Sequence, residues 1–377
     1  MELGSEFHID LANTMIRGNT IYHLLARYNT FYTDYGRTAI ALVYEHIMQT
    51  AGGRRDRVLL PSYICESVVK PFEGKNIVYY DLKENFEIEE QALYKLLQSG
   101  DFDGGVFFLM HYFGMVQPEE TLTQIQILCK ERDIAIIEDT THSIFTKERT
   151  IGDYCIASLR KWMPIPEGAV IYSMNQLPAE WQELEHAKTS YKINAMILKQ
   201  LFLGQADTYR DLENVELVNK AYRNIFAGEE ERIGESGELC AISFLSAFLL
   251  QCIDISEIRD NRAANYRHLG EELSGNGITL YNWEKNQRST KAVWADMLVP
   301  LTALLYVKDK DRDRFRKYLE EQRIYCAVHW DVESEEQRRH ANVADWSENL
   351  ISIPIDQRYG EAHMRYLADI ITEYFNQ

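Results

Sequence analysis

The chain has 377 residues, 46% hydrophobic and 26% charged, a globular composition with enough apolar material for a sizeable core and length for two domains. Lys and Arg total 40 against 58 Asp and Glu, a formal net charge of −18. Such a field repels phosphate backbones and anionic lipid, so neither a nucleic-acid partner nor a membrane surface is expected.

From Gly36 to about Ser173, short apolar runs alternate with amphipathic ones. Strands are predicted over Arg57–Pro61, Asn76–Asp81, Gly105–His111, Ile134–Asp139, Tyr154–Leu159 and Gly168–Ser173, and helices over Thr38–Gln49, Glu66–Phe72, Glu89–Gln98 and Pro118–Arg132. Strict alternation of this kind implies right-handed crossovers and a mostly parallel, doubly wound α/β sheet. Such sheets take their ligands beyond the carboxyl ends of the strands.

Residues 178–224 are polar and helical in period. Beyond Gly234 the pattern predicts one long helix from about Cys240 to Ser274, strands near Met297–Leu301 and Ile324–His329, and helices Asp311–Gln322 and Gly360–Phe375. That is an α+β arrangement. The expected division is a large domain over 1–235, with an N-terminal arm, and a smaller C-terminal one over 236–377.

The six cysteines are scattered without a CxxC pair and read as reduced thiols of a cytoplasmic protein. Residues 1–10 lack the basic start and apolar core of a signal peptide. The most apolar stretch, Leu239–Leu250, is shorter than the roughly 20 residues that a membrane helix needs. There is no dinucleotide fingerprint after a strand, no phosphate loop of the Walker type, no HExxH, no zinc quartet and no nucleophile elbow.

Four polar groups fall at predicted strand ends or helix starts. Gly36-Arg37-Thr38 opens a helix, either an ordinary start or an anion site made by free N–H groups and the helix dipole. Glu138-Asp139 ends an apolar strand and leads into Thr140-Thr141-His142, so Asp139 is either a cap or the partner of a ligand cation. Asp139 and His142 have no third ligand at recognisable spacing, and no metal is expected. Ser158-Leu159-Arg160-Lys161 follows another strand and runs into the turn Pro164-Ile165-Pro166-Glu167-Gly168, which holds the lysine in a rigid loop instead of on a loose surface. An anion site, a carboxylate and a loop lysine are together what pyridoxal 5′-phosphate (PLP) requires: phosphate at the helix start, a Schiff base on the lysine, and a carboxylate that keeps the pyridine nitrogen protonated.

These segments resemble the DegT/DnrJ/StrS family of PLP-dependent aminotransferases of fold type I. Gly36-Arg37-Thr38-Ala39-Ile40 is similar to the family's phosphate-binding stretch, and Leu60-Pro61-Ser62-Tyr63 with Ile77-Val78-Tyr79-Tyr80-Asp81 to a strand pair. His111-Tyr112-Phe113-Gly114 is similar to its His-x-x-Gly element, Glu138-Asp139-Thr140-Thr141-His142 to its Glu-Asp motif, and Ser158 to Lys161 with Glu167-Gly168-Ala169 to its lysine motif. The resemblance implies that Arg37, Thr38 and Ser158 hold the phosphate, Asp139 the pyridine nitrogen and Lys161 the Schiff base, with His142 beside the phenolic oxygen. Cys65 stands where a ring-stacking aromatic is common, with Tyr63 as the alternative stacker. His111, Arg160 and His329 are candidates for substrate contact.

Ser158 and Lys161 are only three apart, and the Gly-Tyr-Asn-Tyr-Arg stretch common before the family's long helix is absent. The implied activity is transfer of an amino group from an amino acid, glutamate or glutamine, to a keto group of a sugar or nucleotide-linked sugar, by a homodimer. The rival readings are a lyase or dehydratase of the same fold and a pseudoenzyme that keeps the fold as a scaffold.

Overall fold

The computed structural model describes residues 2–10, 14–50, 56–146, 150–188, 190–205, 212–235, 238–283, 298–308 and 311–376. Its centre is a seven-stranded sheet in the order β2-β8-β7-β6-β5-β3-β4. The strands are β2 (Asn29–Thr33), β3 (Arg57–Pro61), β4 (Asn76–Tyr80), β5 (Val106–Met110), β6 (Ala135–Asp139), β7 (Tyr154–Ser158) and β8 (Ala169–Ser173). Pairing is parallel from β4 through β3, β5 and β6 to β7, whereas β8 runs antiparallel to both its neighbours. The predicted mostly parallel α/β sheet is therefore observed.

The central strands form because they are apolar on both faces, as a sheet covered by helices on each side demands. All five residues of β5, Val-Phe-Phe-Leu-Met, are buried. Helix Glu119–Glu131 opens with Glu119 and Glu120, which suit its positive end, and buries Leu122, Ile125 and Leu128 at helical spacing.

Farther along, the structure departs from expectation in definite ways. The predicted long helix from Cys240 to Ser274 is two helices, Phe244–Gln251 and Ile255–Gly275. The break falls where Asp254 caps the second helix, its side chain accepting from the Ser256 N–H. The strand expected over Met297–Leu301 is instead β9, Ala303–Tyr306, and Met297 lies outside the described residues. β9 pairs antiparallel with β11 (Leu350–Ile353). The strand expected over Ile324–His329 shortens to β10, Ile324–Tyr325, which pairs in parallel with β1, Leu3–Gly4, from the start of the chain.

That N-terminal segment is strongly tied down. Arg358 donates to the carbonyls of Ser5 and Glu6, both at 3.1 Å, and the Gly4 N–H donates to the Tyr359 hydroxyl at 2.7 Å. Lys199, buried, pairs with Glu2 at 3.0 Å and donates to the Glu6 carbonyl at 2.7 Å. No helix among the described residues is long and apolar enough to cross a membrane.

Candidate functional site

The carboxyl ends of β6 and β7 and the segment that follows β3 converge with the start of helix Gly36–Thr50 on a cavity of about 220 Å³. Tyr35, Gly36, Arg37, Cys65, Ser67, Asp139, Thr141, Ser158, Arg160 and Lys161 line it. Of the cofactor residues expected from sequence, Arg37, Cys65, Asp139, Ser158 and Lys161 meet there. The helix start stands close to Ser158: a Cβ on Gly36 would lie 3.4 Å from the Ser158 Cβ.

Successive strand residues face opposite sides, and this separates the two acids of β6. Asp139 lines the cavity, while Glu138, fully buried, accepts from the N–H groups of Ile151 at 2.6 Å and Gly152 at 2.8 Å and from His111 at 2.8 Å. Gly152 is required there, because a Cβ would sit 2.7 Å from the Glu138 Cβ. Asp139 accepts the Thr141 N–H at 2.8 Å and makes no ion pair with a described residue. Burial pushes its carboxyl above the usual range, opposed by the Thr141 hydrogen bonds and the charge on Lys161. A buried carboxylate of this kind, at the edge of a cavity, is a ready partner for a ligand cation.

Thr141 organises the floor, a role sequence reasoning did not assign. Its hydroxyl accepts the Ser158 N–H at 3.0 Å and its carbonyl accepts the Trp162 indole N–H at 2.6 Å. Lys161 Nζ lies 3.3 Å from His142 Nε2, and His142 Nδ1 accepts the Phe113 N–H at 3.3 Å. The His142 ring stacks on Trp330, centroids 5.6 Å apart and 18° from coplanar. Burial first, then Lys161 and His329, hold His142 well below the ordinary imidazole range.

Several expected contacts do not form. Tyr63 is fully buried in an aromatic cluster with Phe86, Trp330 and Trp346; its hydroxyl donates to the His329 carbonyl and accepts the Trp330 N–H at 2.8 Å. It does not line the cavity, so the stacking role falls to no aromatic of this segment. His111 is buried, with Nε2 on Glu138 and Nδ1 accepting the Gln117 N–H at 3.2 Å, and it is not part of the lining of this cavity. Thr38, buried, faces the Asp34 carboxylate and is absent from the cavity lining.

A second cavity, of about 400 Å³, opens on the other side of Lys161. Arg160 and Lys161 belong to both cavities, and His329 lines this one. Its walls include Gly4 to Phe7, Arg262, Asp356 and Arg358, none of which sequence reasoning singled out. His329 bonds Ser352 Oγ at 2.7 Å. Among the described residues no group of three His, Cys, Asp or Glu could hold a metal.

Burial, helped by Lys161, lowers the His329 pKa from 6.5 to about 3. The unfolded chain then takes up this proton first as pH falls, so the histidine's contribution is complete above 6.5 and is lost on acidification toward 3. We expect His329→Gln to lose about 1 kcal/mol less stability than the parent between pH 7 and pH 5, a figure discounted for the exposure of His329 to the cavity. Urea unfolding at the two pH values checks this, and parallel losses would contradict it.

No protein-family model matches the chain, and no curated protein matches it in sequence. Solved structures do match in shape. A Streptococcus pneumoniae protein assigned to the sugar aminotransferases, solved in its PLP form, superposes with a TM-score of 0.65 at 12% identity over 99% of this chain and 98% of its own. A DegT/DnrJ/EryC1/StrS aminotransferase from Brucella abortus gives 0.64 at 12% identity over 95% and 88%. NtdA from Bacillus subtilis, with its bound cofactor PMP, gives 0.59 at 11% over 95% and 75%. The chain has the fold of these fold type I, PLP-dependent transferases.

Proposed function

We propose that this protein is a PLP-dependent aminotransferase that moves an amino group from an amino acid, glutamate or glutamine, to the keto group of a small acceptor, a sugar or nucleotide-linked sugar. One observation carries the reading. Asp139, a buried carboxylate without an ion-pair partner among the described residues, and Lys161 line a single cavity together with the start of helix Gly36–Thr50.

The residues present fit PLP. Ser158, Arg37 and the N–H groups at the helix start would hold its phosphate, Asp139 its ring nitrogen, and Lys161 would carry it covalently. Bound there, PLP supplies an electron sink for the carbanion formed at the substrate's α-carbon. Asp139, charged, would keep the ring nitrogen protonated, and its burial makes that attraction stronger. The Nζ of Lys161, between the two cavities, would take a proton from the substrate carbon and return it one position away. His142, held neutral 3.3 Å from Nζ, would favour the uncharged amine, because protonating either group disfavours protonating the other. Cys65, where the family more often stacks an aromatic ring, would leave one face of the cofactor less tightly covered.

The test is titration of the purified protein with PLP, followed by borohydride and peptide mass analysis. Capture of the cofactor on the peptide that contains Lys161, and bleaching of its visible band by glutamate, are the expected results. Capture without any response to amino donors would favour a scaffold that retains the fold.

The division into units 1–235 and 236–377 belongs to the same proposal, as does a cytoplasmic location. So does a homodimer, supported by two phenylalanines one turn apart on helix Phe244–Gln251, Phe244 75% and Phe248 47% exposed. Light scattering should report twice the chain mass, and a monomer at working concentration would refute the dimer.

A further inference from the structure

We infer that the cavity on the far side of Lys161 receives a substrate carboxylate, that of the amino donor, and that Arg262 is the residue that holds it. The inference rests on the aminotransferase reading for the identity of the substrate, but the anion site stands on its own geometry.

Arg262 belongs to helix Ile255–Gly275, is 1% exposed, and forms part of the cavity wall. Its Nε donates to Gln357 Oε1 at 2.9 Å and its Nη1 donates to the Leu301 carbonyl at 2.5 Å. Both acceptors are neutral. Nη2 has no partner among the described residues, and no carboxylate lies within ion-pair distance of this guanidinium. The guanidinium lies over the Trp162 ring, 4.6 Å from its centroid, and Trp162 follows Lys161 in the chain. Gln357, which orients Arg262, also donates to the Trp162 carbonyl at 2.6 Å. The side chain is therefore aimed by the same loop that carries the lysine.

The acid whose charge acts on Arg262, Asp356, makes no ion pair with it. Asp356 is already gripped by Arg358 through two bonds, at 2.7 and 2.8 Å. Arg358 in turn is occupied by Asp356 and by the carbonyls of the N-terminal segment. Two guanidinium groups thus share one carboxylate and leave one buried positive charge on the wall. Glu6, the other acid of the lining, pairs with Lys192 at 2.8 Å. Burying an unmatched cation is expensive, and in a chain of net charge −18 other acids were available to match it. One unmatched charge fits one carboxylate, which a guanidinium binds through its planar N–H edge. An amino donor seated by its carboxylate on Arg262 would present its amino group toward Lys161, which closes the same cavity.

Calorimetric titration of the protein, with and without PLP, tests this. Glutarate is the probe, with glutaramide as its uncharged counterpart and inorganic phosphate as the competing anion. Glutarate is expected to saturate one site, with glutaramide and phosphate each at least about 10-fold weaker; Arg262→Gln should weaken glutarate by about 10- to 100-fold, and Arg262→Lys by less. With glutamate as donor, Arg262→Gln should raise KM by a similar factor, a larger change than it makes in kcat. Equal binding of glutarate and glutaramide, or of glutarate and phosphate, would overturn the inference. So would unaltered glutarate affinity in a folded Arg262→Gln. If that variant does not fold, the discrimination among the three probes by the parent decides. Failure of PLP capture on Lys161 alongside intact discrimination would overturn the aminotransferase reading and keep the carboxylate site.

Discussion

Lys161→Ala should lower the rate of amino transfer by at least about 10³-fold and abolish borohydride capture of PLP on its peptide. The size follows from the position of the side chain. Lys161 is the one lysine that lines both cavities among the described residues, so no other amine stands ready to replace it. The variant should remain folded, because Lys161 is only half-buried and lines the two cavities, so its truncation leaves no void in the packed core. It should also tolerate acid better: Lys161 is among the causes that hold His142 and His329 neutral, and without it both imidazoles accept protons at a less acidic pH. Stopped-flow absorption with glutamate gives the rate, and unfolding at pH 5 gives the second effect. A variant that keeps a tenth of the parent's rate would remove Lys161 from the mechanism.

The second large effect is on stability and comes from the neighbouring acid. Glu138→Leu should destabilise the protein by about 3–5 kcal/mol, because the Ile151 and Gly152 N–H groups and the His111 imidazole lose their acceptor in a site closed to water. Glu138→Gln retains an oxygen and should cost less. The damage reaches the site as well: Glu138 ties β6 to the segment that enters β7, and Asp139 and Ser158 are the last residues of those two strands. PLP affinity should therefore fall along with the denaturation midpoint. A loss below about 1 kcal/mol would show that water replaces the carboxylate.

What was legible in the sequence follows from burial. β3 and β5 to β8 match their predicted bounds within a residue or two because strands covered on both faces are written as continuous apolar runs; β4, a half-buried edge strand, is legible from the unbroken run Ile77-Val78-Tyr79-Tyr80. β2 escaped notice because Asn29-Thr30-Phe31-Tyr32-Thr33 sits at the sheet edge with an exposed end and mixed polarity. β1 and β10 are two residues each, too short for any period to show. Within the site, Asp139, Ser158 and Lys161 were found because each ends or follows a strand that was itself visible. Cys65 and Tyr63, two residues apart, were a choice that only packing could make, and the tyrosine went to the aromatic cluster. Thr141 and Ser67 carry no pattern that sets them apart from ordinary turn residues. Arg262 lies on an amphipathic helix in which a charged residue is unremarkable, and only its burial distinguishes it.

The pairing of β1 with β10 has a consequence for the order in which the molecule is made. Leu3 finds its partner Ile324, and Gly4 its partners Tyr325 and Tyr359, only after more than three hundred further residues exist. A segment made more than three hundred residues before its partners is thus among the last to be seated, and closing so long a loop contributes to slow folding. The wall formed by Gly4 to Phe7 comes into being only when the strand, the arginine and the tyrosine near the other end of the chain are in place. A nascent chain can hold a finished central sheet while the second cavity still lacks a side.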